Sequence, residues 1–201
     1  MRREIITGLL MGLGAWQFLA RSAAANIISH SCDASPCITS PAYNWGQDSS
    51  GDYWLTVAGA ESDAGGQISG TVTTDTTTDP TLIIGNDVNN DTGFAWTGYD
   101  VTVSMNNPFT LYNAAVDSPS DWSASVTAPT QISPGVYQGA IAYSAGTPIQ
   151  VGGELDFQYT LQFSNGLSYS FTETVSPVPE PASFGLLAVG AVALLGRRKR
   201  A

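Results

Sequence analysis

All seven lysines and arginines of this chain lie at its two ends: Arg2, Arg3 and Arg21 at one, Arg197, Arg198, Lys199 and Arg200 at the other. The long stretch between them must fold without a lysine or arginine. No ion pair to such a residue can form there, so any carboxylate taken into a core needs hydrogen bonds or a metal. Seventeen acidic residues less Glu4 and Glu180 leaves fifteen in the body, which with His30 neutral carries a charge of about −15. Such a body is soluble, repels anionic surfaces, and offers phosphate no partner. Nucleic acid is excluded as a ligand.

The cation-bearing ends read as addresses. At the front, Arg2-Arg3 precede a mostly apolar run from Ile5 to Ala20, and Ala23-Ala24-Ala25 puts small residues at −3 and −1 of a cut before Asn26. Residues 1–25 are expected to be a helical secretory signal peptide, with Ala23 and Ala25 at the cleavage site. At the back, Pro179-Glu180-Pro181 precedes an uncharged segment, Ala182 to Gly196, and then the four cations Arg197 to Arg200. Fifteen helical residues span roughly 22 Å against a hydrocarbon core of about 30 Å. Snorkelling of the basic cluster makes up part of the difference. The same cluster keeps its end cytoplasmic and the body outside.

A short Pro-Glu-Pro motif, an apolar segment and a basic end, in that order, resemble the PEP-CTERM sorting signal, over about residues 178–201. The resemblance implies an exosortase, a membrane cysteine peptidase or transpeptidase, as processing partner, in a Gram-negative bacterium that makes exopolysaccharide. It implies that Pro179, Glu180 and Pro181 are the recognition element and that the membrane segment 182–196 and basic end 197–200 are transient. The precursor would be anchored in the inner membrane and its product carried to the outer surface or beyond.

With the ends set aside, residues 26–176 make one domain of ordinary size, with 177–201 as the sorting signal. Asn, Thr, Ser, Gly and Asp are plentiful and helix formers scarce, which points to β structure. Leu155, Phe157, Tyr159, Leu161 and Phe163 alternate with polar residues, as do Leu167, Tyr169 and Phe171. Period two means one buried and one wet face. A three-residue turn, Ser164-Asn165-Gly166, pairing Phe163 with Leu167, would align the two apolar rows in a hairpin. Tyr99, Val101, Val103 and Met105 form another row, and a bulge at Gly98 would bring Trp96 and Phe94 onto its face. Weaker strands are expected at 53–58, 67–74, 81–88, 109–116, 122–127 and 136–143. The expected fold is an all-β antiparallel sandwich of about eight strands, immunoglobulin-like or jelly-roll. Its last strand should end near Val175, leaving Ser176-Pro177-Val178 as a stiff spacer.

Cys32 and Cys37, the two cysteines, are expected to form a local disulfide in an oxidising compartment, tying down the mature N-terminus. His30 is a single histidine and gives neither a metal cluster nor a well-placed triad. Glu61, Glu154 and Glu173 are the candidate glutamates for a paired-carboxylate glycosidase. Glu173 falls on the buried parity of the last strand, where fraying would expose it. Asp87-Val88-Asn89-Asn90-Asp91 spaces oxygen ligands as a calcium loop does, with Thr92 and Gly98 breaking the EF-hand pattern; a solvated loop closed by Gly93 is the plainer reading. Asn90-Asp91-Thr92 is a glycosylation sequon. Trp45, Tyr53, Trp54, Trp96, Tyr99 and Trp122 could stack on sugars, the best exposed being Trp45 and Trp54 around Gly46–Gly51, with Trp96 in the core. The expectation is a non-enzymatic surface or matrix protein without cofactor, catalytic residue or metal, whose ligand partner is exopolysaccharide. A carbohydrate-binding module and a glycoside hydrolase are the alternatives.

Overall fold

A computed structural model describes residues 27–48, 52–63, 65–77, 80–164 and 166–180, with the side chains of 28–32 outside the description. The signal peptide, Pro181, the membrane segment and the basic end lie outside the described residues. Among those described, all regular structure is β-strand. Eleven strands follow in order: β1 (Ile27–Ala34), β2 (Ile38–Gln47), β3 (Tyr53–Glu61), β4 (Gly66–Thr74), β5 (Thr81–Asn90), β6 (Trp96–Met105), β7 (Phe109–Ser118), β8 (Ser123–Ser133), β9 (Val136–Ile149), β10 (Glu154–Phe163) and β11 (Ser168–Pro179).

They form two sheets, a β-sandwich. One runs β1-β4-β11-β6-β9-β8, the other β2-β3-β5-β10-β7. The alternating rows meet between them. Leu155, Phe157, Tyr159, Leu161 and Phe163 of β10 face Tyr99, Val101, Val103, Tyr143, Tyr169 and Phe171 of the other sheet, and all are buried. Tyr99, Tyr143 and Phe157 touch through their rings across the interior. Burying an aromatic or large aliphatic side chain yields about 1.5–3 kcal/mol, so these rows supply most of the drive to fold.

Four expectations need correction. There are eleven strands rather than about eight, because β1 and β2 alternate too weakly to be read. One pair, β3 with β5, is parallel, so the second sheet is mixed. β10 and β11 are not a hairpin. β10 pairs with β5 and β7, and β11 with β4 and β6, in opposite sheets. The two apolar rows do share a core, except that Leu167 is exposed, but they do so across the sandwich, with Phe163 stacked on Tyr169 at 4.6 Å between centroids. Tyr169 pins the crossing: its hydroxyl accepts from Gly166 N at 2.9 Å and donates to Gly166 O at 2.8 Å. Lastly, β11 does not stop near Val175. It continues through the supposed spacer to Pro179. The bulge at Gly98 is present: the registers of β6 with β9 and with β11 both shift there, which turns Trp96 and Tyr99 inward together.

Candidate functional site

The end of β11 carries the sorting motif, and its local structure follows from where its neighbours stop. β4 pairs with β11 only as far as Val175, opposite Gly66. Beyond that point β6 alone holds the strand, with Pro177 opposite Tyr99, Val178 opposite Gly98 and Pro179 opposite Trp96. Glu180 N donates to Ala95 O at 3.2 Å. Thr97 Oγ1 donates to the carbonyls of Val178 and Pro179, each at 3.3 Å. Pro177 is buried, whereas the side chains of Val178, Pro179 and Glu180 face solvent. Alternation along a strand turns the main-chain groups of successive residues to opposite edges. Since Glu180 N faces β6, the amides of Ser176 and Val178 do as well. Positions 177 and 179 then face the edge that β4 has vacated, where a proline's missing N–H costs nothing.

Below this exit two carboxylates lie inside the sandwich. Glu61 shares the inward parity of Leu55 and Val57 and is fully buried. Tyr99 donates its hydroxyl to Glu61 Oε2 at 2.7 Å. Burial pushes Glu61 up to about 7, against the Tyr99 hydrogen bond that favours its charged form. Glu173, equally buried, also rises to about 7 through burial, with hydrogen bonds from Tyr159 and Asn86 opposing and the charge of Glu61 adding. Asn86 Nδ2 donates to Glu173 Oε1 at 3.4 Å. The same burial and carboxylates push the Tyr99 hydroxyl well above its ordinary value. Glu173 is therefore a core residue of a strand that continues past it, not a frayed end.

A third acidic group sits on the outer face of β5 and β10. Asp87 pairs directly with Asp156, and the carboxylate oxygens of Asp87, Glu154 and Asp156 lie within 4.8 Å of one another. The hydrogen bond that protonated Glu154 donates to the Asp87 carboxylate, together with the charges of Asp87 and Asp156, pushes Glu154 up to about 7. Burial and the neighbouring Asp87 raise Asp156 as well. This trio could hold a proton in common or ligate one divalent cation through oxygen. Of the calcium-loop run only Asp87 takes part. Asn90 is buried and used up as a bracket. Its Nδ2 donates to the carbonyls of Phe94 (3.0 Å) and Ile149 (3.1 Å), and its Oδ1 accepts from Thr92 N and Oγ1. Trp96 Nε1 completes the bracket by donating to Thr92 Oγ1 at 3.0 Å. The sequon's Asn90 and Thr92 are thus enclosed while Asp91 is exposed, and the Asp87–Asp91 stretch is strand to Asn90 rather than a solvated loop.

The aromatic candidates separate. Trp96, Tyr99 and Trp122 belong to the core. Trp45 lies opposite Leu55 on the inner face of its sheet, while Trp54 lies opposite Gly46 on the outer face. A Cβ on Gly46 would clash with the Trp54 ring, so the indole covers that glycine. The two tryptophans cannot share one platform. Trp45 and Tyr53 instead line a groove of about 260 Å3 at the sandwich edge, with Ile27, Gly46 and Gln47. Tyr53 accepts from Ile27 N at 3.0 Å there.

Cys37 is half-buried in the turn between β1 and β2. The side chains of Cys32 and His30 lie outside the described residues, as do Ala23, Ala25, Pro181 and Arg197, Arg198, Lys199 and Arg200.

Residues 177–200 match the PEP-CTERM protein-sorting motif. The match coincides with the end of β11 and the tail beyond it, and implies export and cell-surface sorting by an exosortase. No curated protein and no solved structure matches the chain. Sequence reasoning found the motif but not its docking on β6. The signal was present in the alternation of Pro177, Pro179 and Pro181, which is compatible with a strand that has one open edge.

Proposed function

We propose that this is a non-enzymatic β-sandwich of the cell surface or extracellular matrix, exported by a cleaved signal peptide, held briefly by its tail in the inner membrane, and released from that tail by an exosortase to associate with exopolysaccharide. The observation that carries this reading is the run of a single strand from the core of the sandwich into the sorting motif. A Cys32–Cys37 disulfide at the mature N-terminus belongs to the same proposal, because the product matures in an oxidising compartment. Two of the three glutamates suited to glycoside hydrolysis are enclosed in the core, which leaves that alternative the outer trio alone. Intact mass of the protein from its native host, in surface and medium fractions, tests the proposal. The expected species starts at Asn26 and ends near Pro179-Glu180-Pro181. A mature species retaining Arg197 to Arg200 overturns it.

The groove favours a second reading, a carbohydrate-binding module in which Trp45 and Tyr53 meet a sugar ring. Trp45→Ala should then cost roughly tenfold or more in affinity for the host's exopolysaccharide, in line with loss of an aromatic anchor. Trp54→Ala, on the other face, should cost little. Equal binding by both variants and the wild type counts against the groove.

A further inference from the structure

Resting on the exosortase reading, we infer that the last turn of the β11–β6 pairing is a latch: the sorting motif is held on the folded sandwich and must leave β6 before the processing enzyme can take it. Three observations point the same way. The side chains of Pro179 and Glu180 are exposed, so the motif is displayed, yet its main chain is engaged by Ala95 and Thr97. The amide donors between Ser176 and Glu180 belong to Ser176, Val178 and Glu180, and all face β6; the open edge presents prolines 177 and 179, which have none. An enzyme that reads an extended peptide through its main chain, as strand addition does, finds no donor on that edge and must displace β6. Finally, only Pro181 separates Glu180 from the apolar segment. A membrane-embedded enzyme therefore meets the motif with the whole sandwich against it, unless the strand end peels away.

The latch is weak by design of its contacts. It begins where β4 has ended, so one neighbour holds it rather than two, and the pairing shifts register at Val178/Pro179. Opening therefore need not disturb the core, and belongs to the low-energy local openings that folded proteins undergo at strand ends. Processing then proceeds at a rate set by the opening equilibrium, and Thr97 is a positioning residue for a reaction it never touches.

Pulse-chase of the full chain in its native host tests this, following conversion of precursor to tail-free product. Thr97→Val removes the hydroxyl donor at nearly constant volume and should speed conversion about 2- to 10-fold, the range a single net hydrogen bond supplies. The opposite test locks the latch. A Cβ on Gly98 would lie 3.4 Å from Val178 Cβ, close to the separation of about 3.8 Å in a disulfide. The pair Gly98→Cys with Val178→Cys should accumulate as precursor under oxidising conditions and be processed when dithiothreitol is added. Either cysteine alone should be processed as the wild type is, with or without reductant. Unchanged conversion of Thr97→Val, together with wild-type conversion of the crosslinked pair, would show that the enzyme reads the motif in place on β6 and would overturn the latch. A wild-type chain that is never converted overturns the sorting reading, and the latch with it.

Discussion

Glu61 and Glu173 are the residues at which this chain departs most from ordinary practice. Each has a folded pKa of about 7, raised from an ordinary 4.5 by burial. The folded state thus binds more protons than the unfolded state between those values. The stability these groups contribute is fully present below the unfolded pKa, falls as pH rises toward about 7, and levels off above it. Glu154 and Asp156 on the outer face, both raised, act in the same direction. Thermal melts should therefore give a higher Tm at about pH 5 than at about pH 8, the reverse of a protein held by ionised carboxylates. Glu61→Gln and Glu173→Gln should each flatten the profile and raise Tm at the alkaline end. A shift of one pKa unit corresponds to about 1.4 kcal/mol. A wild-type Tm that climbs from pH 5 to 8 would contradict the buried, protonated state of these groups. Glutamine keeps an acceptor for Tyr99, so the experiment separates charge from hydrogen bonding.

At the scale of elements, alternation told which residues face inward, but not which sheet they belong to. Leu155 to Phe163 and Tyr169 to Phe171 have strong period-two rows, and both proved buried. Their assignment to one hairpin failed because two rows facing one core look alike in sequence whether they are neighbours in a sheet or opposed across a sandwich. The Gly98 bulge was legible, since a parity switch at a glycine leaves few other solutions. β1 was not legible: Ile27–Ala34 mixes serine, histidine and cysteine without period. β2 carries Pro41 and exposes most of its length, as an edge strand does. Glu61 was readable as inward by parity with Leu55 and Val57. Its partner Tyr99, thirty-eight residues on, was not, because contacts across the sandwich leave no local trace. Prolines at 177 and 179 suggested a spacer because proline usually ends a strand; here it caps an edge that has no neighbour.

For the whole molecule, the absence of lysine and arginine from the body governs behaviour in solution. Fifteen acidic groups repel one another with His30 as the one body residue able to carry an opposing charge, and nothing in the fold relies on a lysine or arginine ion pair. Added salt should therefore stabilise the domain. From about 20 mM to about 0.5 M monovalent salt the screening length drops from roughly 20 Å to roughly 4 Å. A gain of about 1 kcal/mol over that range would appear as a rise in Tm of about 3 °C. The rise should shrink at about pH 4, where many of the carboxylates are neutral. A Tm that falls with salt at neutral pH would mean that attractive charge pairs, not repulsion, dominate.

The membership of β11 in its sheet also has a mechanical meaning. It is the third of six strands, with β4 on one side and β6 on the other. A load applied at the C-terminal end of β11 would pull on the domain along this strand. Antiparallel rungs lie across the strand direction, so tension there is shared among many rungs in shear instead of opening them singly. The domain hangs from its middle, and a tug strong enough to free the first few residues still leaves the rest of the strand gripped from both sides.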